Sequence, residues 1–344
     1  MPILGDNVLQ SLNVSINSIW IGHYLGEAAL TASSNANLIL FFLIGTMFGL
    51  SMASTILVGQ AMGARNPDLA KRVVGTGLTF FAGLSVIVAV LGFIFTPQVL
   101  GWMRTPADAI PDAVAYLRVI FVLLPATLVY VLLRMTLRGT GDSRTPFQFM
   151  VLAVVLDIGL NPLLIFGWGP IPGFGIAGSA TATLIAQVVA LVGLVVTLYR
   201  RGHFLCIHRG QWHYLKPEPA LLRAVVLKGL PMGAQMMVIS ASSLIMIAFI
   251  NQYGSRMTAA YGAALQLWRY IQVPAIAVGS TVASMAAQNV GAQLWQRVTR
   301  IAGAGVVYNL IMTGTLVVVV YLFARDAVGL FLPADPVALD LAKH

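Results

Sequence analysis

The sequence predicts an all-α fold, a polytopic transmembrane helical bundle, and three observations carry that prediction. Of 344 residues, 58% are hydrophobic and 9% charged, with a mean hydropathy of +0.87. The apolar residues gather into stretches long enough to cross a hydrocarbon core, which takes about 20 residues of helix. The basic residues gather in the short segments between those stretches. Soluble domains carry about a quarter charged residues, so this chain lacks the means to cover a water-facing surface of its size.

Nine stretches meet the length criterion. The first four run near 3–22, 36–59, 73–96 and 113–135, followed by 147–168, 174–199, 224–250, 260–287 and 301–323. Each is far longer than a buried strand, and the Gly and Pro inside them are tolerable in membrane helices. Numbered one to nine, the even-to-odd connections hold 14 of the 20 basic residues, among them Arg65, Lys71, Arg134, Arg138, Arg144, Arg200 and Arg201. By the positive-inside rule those connections and the N-terminus face the cytoplasm, so the expected setting is a bacterial inner membrane.

The net charge of +9 does not point to nucleic acid, because the basic residues form no single patch. The single cysteine, Cys206, cannot make an internal disulfide. No basic segment followed by a short apolar core opens the chain, so no removable signal peptide is expected. The longest polar stretch, 200–223, contains His203, His208 and His213 without a carboxylate or thiol pattern around them. It reads as a solvated linker between two halves and not as a metal site.

Those halves echo one another at an offset of about 228 residues. Gln60-Ala61-Met62-Gly63-Ala64 is answered by Gln288-Asn289-Val290-Gly291-Ala292, and Arg72, Gly75 and Gly77 by Arg300, Gly303 and Gly305. Gly26, Phe95 and Gly101 pair with Gly254, Phe323 and Gly329, and Pro106 with Pro333 after a one-residue slip. Six spans separate the copies, so they share one orientation, as in transporters that bind substrate between parallel repeats. The organisation read from this is a six-helix lobe (1–199), a cytoplasmic linker (200–223) and an incomplete lobe of three helices (224–344). The counterpart of 117–199 is absent, so a C-terminally truncated transporter is expected.

Four segments carry a family resemblance. Leu25-Gly26-Glu27-Ala28-Ala29-Leu30-Thr31-Ala32 follows span one, and Gln60 to Arg65 follows span two. Leu137-Arg138-Gly139-Thr140-Gly141-Asp142-Ser143-Arg144-Thr145-Pro146 follows span four. Asn161-Pro162-Leu163-Leu164-Ile165-Phe166-Gly167, then Gly173 to Ala180, joins spans five and six. In order and spacing they resemble the multidrug and toxic compound extrusion (MATE) family. The resemblance implies a two-lobed antiporter, not an enzyme, that exports cationic or amphipathic drugs and xenobiotics against H⁺ or Na⁺ without any other cofactor. It also implies small-molecule partners, and we expect a monomer in the bilayer.

Asp157 is the one acidic residue near the middle of an apolar span, where an ionisable group is costly unless paired or hydrated. Asn161 lies one turn on, sharing its helix face, with Gly159 and Pro162 permitting a local kink. The resemblance places Asp157, Asn161 and Asn17 in a cation- or proton-binding cavity, with Asn17 standing where the family often has Asp. A carboxylate held out of water favours its protonated form, which suits proton exchange. The alternative reading of Asp157 is a packing hydrogen bond. Trp20, one turn from Asn17, reads as an aromatic wall for a cationic drug or as core. Tyr116 reads as a cavity residue or an interfacial tyrosine. Arg134, Arg138, Asp142 and Arg144 read as cytoplasmic anchors beside a turn built on Gly139, Gly141 and Pro146.

The proton is favoured over sodium because no carboxylate lies between Pro231 and Asn251, where some sodium-coupled relatives carry Glu. Two other readings stay open: a lipid-linked sugar flippase of the same superfamily, which needs a strongly cationic cavity, and a non-transporting remnant. A membrane-embedded enzyme would need a metal cluster or a partnered nucleophile, and neither is legible.

Overall fold

A computed structural model describes residues 2–102, 110–168, 171–208, 210–253 and 255–322, and at some of these, residues 21–42 and much of 255–270 among them, it describes the backbone alone. The expected repeat pairs involving Gly254, Phe323, Gly329, Pro106 and Pro333 therefore lie outside the described residues. The helices in chain order are α1 (Pro2–Gly63), α2 (Pro67–Trp102), α3 (Ile110–Gly139), α4 (Arg144–Phe166), α5 (Gly175–Arg200), α6 (Pro219–Ile250), α7 (Ser255–Gly291) and α8 (Trp295–Leu322). A two-residue antiparallel pair, Gly167–Trp168 with Ile171–Pro172, joins α4 to α5. Among the described residues, six helices are long and apolar enough to cross a membrane: α2, α3, α4, α5, the Pro219–Ile247 part of α6, and α8. Their outward faces carry exposed Val86, Ile87, Val90, Ile94, Val306 and Leu310, a surface suited to lipid.

Expected spans one and two differ from what is observed, for the backbone is helical from Pro2 through Gly63. The segment between them, Gly26-Glu27-Ala28-Ala29-Leu30, holds no proline and is rich in good helix formers, so nothing in it halts the helix. The helix still cannot be straight. Asp6 engages the Arg138 side chain, while the Thr55 carbonyl lies so close to Gly139 that a Cβ there would sit 2.6 Å away. A straight helix would hold Asp6 and Thr55 roughly 73 Å apart at 1.5 Å per residue. The axis of α1 therefore doubles back, and its two arms run side by side as two spans would.

The second arm of α1 packs on α6 and α7 through glycines. A Cβ on Gly49 would fall 2.3 Å from the Gly233 nitrogen, and one on Gly59 would fall 2.9 Å from Ala287 Cβ. Such close backbone approach is the small-residue packing of membrane helices. The two repeat segments meet each other here. A Cβ on Gly63 would lie 1.7 Å from the Gln288 carbonyl oxygen, and one on Gly291 would lie 1.9 Å from that of Gln60. Both helices end in the same motif: Arg65 (φ 53°) and Gln293 (φ 57°) take left-handed conformations. Asn66 N–H donates to the Ala61 carbonyl at 2.9 Å, and Leu294 N–H to the Asn289 carbonyl at 2.9 Å. A core of Phe81, Leu117, Leu124, Leu128 and Leu132 fills the space among α1, α2 and α3.

The basic connections cluster at this end of the bundle. Gln288 Nε2 donates to the Gly139 carbonyl at 2.8 Å, and Arg201 Nη1 to Thr145 Oγ1 at 3.3 Å. The linker is shorter and more ordered than read, because α6 already begins at Pro219 and Trp212–Leu215 form a 3₁₀ turn. Thr79 Oγ1 donates to the Leu215 carbonyl at 2.6 Å, Arg72 pairs with Glu218 at 2.5 Å, and Tyr214 donates its hydroxyl hydrogen to Asp68. Leu205 and Cys206 are buried. The stretch is a strap bound to α2, not a freely solvated linker.

Candidate functional site

Asp157 lies in the middle of α4, and three side chains from three helices converge on its carboxylate. Asn17 Nδ2 from α1 donates to Oδ2 at 2.9 Å, while Thr183 Oγ1 from α5 donates to Oδ1 at 2.9 Å. Asn161 Nδ2 reaches Oδ1 at 3.2 Å and the Asp157 backbone carbonyl at 2.9 Å. It also donates to Asn17 Oδ1 at 3.0 Å, closing the ring. Asp157 is 1% exposed and Asn161 fully buried. Three donors offset part of the cost of holding a carboxylate there, since hydrogen bonds to charged groups are the strong ones. One acceptor, Asn161 Oδ1, is buried without a partner.

This cluster forms one wall of a cavity of about 220 Å³ between α1, α3, α4 and α5. Asn17, Tyr116, Asp157 and Thr183 line it, so the sequence brings three of its five expected site residues to the cavity surface. Asn161 stands behind them and holds Asp157 and Asn17. Trp20 is not among the residues that line this cavity; it meets the half-exposed Phe166 edge-on, with ring centroids 6.4 Å apart. Gln187 lines the cavity and accepts a hydrogen bond from Thr127 at 2.7 Å, tying α5 to α3.

The cavity extends away from Asp157 along one stripe of α1. Gln10, Asn13 and Asn17 line it at helical spacing, and Asn17 Nδ2 also donates to Asn13 Oδ1 at 3.0 Å. The same stripe continues to Asp6, whose Oδ2 accepts from Nη2 of both Arg134 and Arg138. Asp6, Arg134 and Arg138 are 2%, 8% and 7% exposed. The two arginines are therefore not surface anchors, as their positions after span four suggest; α1 supplies the carboxylate that carries them inside. The cluster keeps one uncompensated positive charge, and Arg134 sits over the Tyr130 ring at 5.2 Å. The turn reading of the neighbouring segment holds. Gly141 takes φ 94°, and Asp142 Oδ1 accepts the Arg144 and Thr145 N–H groups at 3.0 Å, capping α4.

Thr183, Asp6, Gln10 and Asn13 were not singled out from sequence. The spacing 6, 10, 13, 17 is a polar stripe on an apolar helix and was the available signal for three of them. Thr183 had none, because Thr in a membrane helix ordinarily bonds back to its own helix, as Thr183 also does to the Ser179 carbonyl at 3.3 Å.

Comparison with known proteins places the chain in a family. The MatE family model matches residues 2–163 and 231–344. The chain is 39% identical over 332 residues to the probable multidrug resistance protein YoeA of Bacillus subtilis (strain 168), covering 96% of this chain and 72% of that protein. It is 31% identical over 346 residues to the probable multidrug resistance protein YpnP of the same organism, covering 100% of this chain and 75% of the relative. Among solved structures, one described as a crystal structure of MATE in the bent conformation superposes with a TM-score of 0.90 at 20% identity, over 100% of this chain and 75% of that one. Matched by the family model over most of its length, the chain is a multi-pass membrane protein and belongs to the MatE family of transporters.

Proposed function

We propose that the chain is a multidrug efflux transporter, an antiporter that exports cationic or amphipathic compounds in exchange for H⁺. The observation that carries this reading is Asp157, a buried carboxylate at a cavity wall held by Asn17, Asn161 and Thr183. A carboxylate in such a cavity attracts either a proton or a cationic substrate group, and mutually exclusive occupancy is what an antiporter needs. The relatives' names, probable multidrug resistance proteins, support the substrate class.

The donor pattern favours the proton over Na⁺. Three N–H or O–H groups point at the carboxylate, whereas a sodium ion would need several oxygens turned toward it. A proton needs a more local change. Rotating the Asn161 amide turns the unpartnered Oδ1 toward a protonated Asp157 as an acceptor, at the cost of the Asn161 bonds to Asn17 Oδ1 and the Asp157 carbonyl.

The architecture belongs to the same reading. We take 1–199 and 224–344 as parallel lobes, supported by matched stretches that begin at residues 2 and 231 and by the equivalent turns at Arg65 and Gln293. The basic end, where 64–66, 140–143, 201–218 and 292–294 gather, is the cytoplasmic side, which puts the N-terminus inside. Drug accumulation in efflux-deficient bacteria, with and without a pH gradient, tests the proposal. Export driven by a Na⁺ gradient at symmetric pH, with no response to a pH gradient, would overturn the proton assignment.

A further inference from the structure

A second cavity, of about 540 Å³, lies apart from the Asp157 site, between α2, α3, α5 and the 201–218 strap. Val74, Leu133, Leu137, Leu198 and Leu205 make its wall, and no Asp or Glu lines it. Its rim carries Tyr199 and Trp212, 47% and 68% exposed, two amphipathic rings of the kind that settle where headgroups meet hydrocarbon. Packed proteins do not keep apolar space of this size empty, and the volume falls in the range of roughly 300–1,000 Å³ that holds one small molecule.

The charges around the mouth are basic. Arg200 and Arg201 follow Tyr199 on the rim, and Lys216 follows Leu215. Lys71 Nζ donates to Gln211 Oε1 at 3.2 Å, and the same oxygen accepts the N–H of His208 on the rim at 3.3 Å. The nearby acids are already engaged, Glu218 by Arg72 and Asp68 by the Tyr214 hydroxyl. Among the described residues, Lys71, Arg200, Arg201 and Lys216 take part in no ion pair.

We propose that this cavity holds one acyl chain of an anionic phospholipid from the adjoining leaflet, with the phosphate of its headgroup against Lys71 and Arg200. A cationic drug would find no carboxylate here, whereas a hydrocarbon chain needs only the apolar wall. Anionic headgroups are drawn to basic clusters at this depth. The occupant ties the strap to α2, α3 and α5 from beneath, because Leu205, Cys206 and Leu215 of the strap share the wall.

Cys206 is the single cysteine of the chain, is buried and lines the cavity, so its labelling reports occupancy. The full chain is reconstituted in nanodiscs of phosphatidylcholine alone or of phosphatidylcholine mixed with phosphatidylglycerol, and N-ethylmaleimide labelling is followed by intact mass. Phosphatidylglycerol is expected to slow labelling roughly thirtyfold, the preference that two basic groups near a surface give. The surface variant Lys71→Gln/Arg200→Gln is expected to label at one rate in both discs. Leu133→Trp, which fills the cavity from its wall, is expected to protect Cys206 in both. Equal rates for the native chain in the two discs would overturn the proposal. So would protection that survives loss of both basic groups, or protection by an added amphipathic cation in place of phosphatidylglycerol.

Discussion

Replacing Asp6 with asparagine removes one negative charge from between two buried guanidinium groups. Asp6 is 2% exposed and the arginine side chains are 10% and 8% exposed, so water cannot take over its role without rearrangement. Removing one partner from a buried pair costs about 3–5 kcal/mol, most of it the penalty of the charge left behind. Here two charges are left behind and they repel, so the upper part of that range is expected for Asp6→Asn. If this account holds, Asp6→Asn/Arg138→Met should recover at least half of the loss, since one cation then remains and the thioether suits the site. The measurement is unfolding free energy in bicelles by steric trapping, for the native chain, both single variants and the double variant. A loss below about 1 kcal/mol for Asp6→Asn, or a double variant no better than the single, would show that the cluster is hydrated and carries no buried-charge penalty.

Asp157→Asn is expected to abolish gradient-driven export while leaving membrane insertion intact; accumulation assays check the first and detergent-solubilised melting the second, and full drug resistance in the variant would remove Asp157 from the mechanism. Gly63→Val and Gly291→Val each force a side chain into a carbonyl that a Cβ alone would approach to 1.7 and 1.9 Å. Each should lower stability by about 1–3 kcal/mol, the usual cost of overpacking, read as a fall in melting temperature. The hydrogen bond from Arg72 holds the Glu218 carboxyl below its ordinary value of 4.5, against the opposing effect of burial and with help from the Arg72 charge. A depressed carboxylate stabilises above its unfolded value and loses that contribution as pH falls through the folded one. Limited proteolysis of the strap should therefore speed up as pH drops below the ordinary carboxylate range, and the acid response should be weaker in Glu218→Gln.

Much of the bundle was legible because lipid imposes a simple demand: long apolar runs, with cations at one end. Asp157 and Asn161 stood out for a related reason, since polar side chains four residues apart in such a run are costly unless they bond to something, in a site or in packing. Asp6 was not, because it stands near the edge of its span, where an acid at the interface costs little. Arg134 and Arg138 failed in the same way. Positive-inside placement accounts for them fully until a carboxylate from another helix is seen between them, and that contact is 128 residues away in sequence. The reversal of α1 was expected from two hydrophobic runs, but its continuous helical backbone was not, because Ala and Leu in a connecting segment read equally as loop filler or helix. The strap was read as solvated from its His and Lys content. Its buried Leu205 and Cys206 are too few to give a periodic signal.

The meeting of Gln60 with Gly291 and of Gln288 with Gly63 has the form of an isologous interface, in which the same patch on two related units faces itself across a two-fold axis. In a symmetric dimer of identical chains, a substitution in such a patch strikes twice, and a tolerated change must be tolerated on both sides at once. Here both patches lie in one chain, so each can change alone. The two copies record that freedom unevenly: Ala61 and Met62 stand opposite Asn289 and Val290 in the alignment, while the Gln and Gly that touch across the axis are the same in both. A Cβ at either glycine would run into a main-chain carbonyl of the other copy, so the contact holds both positions to glycine whatever side chains stand beside them.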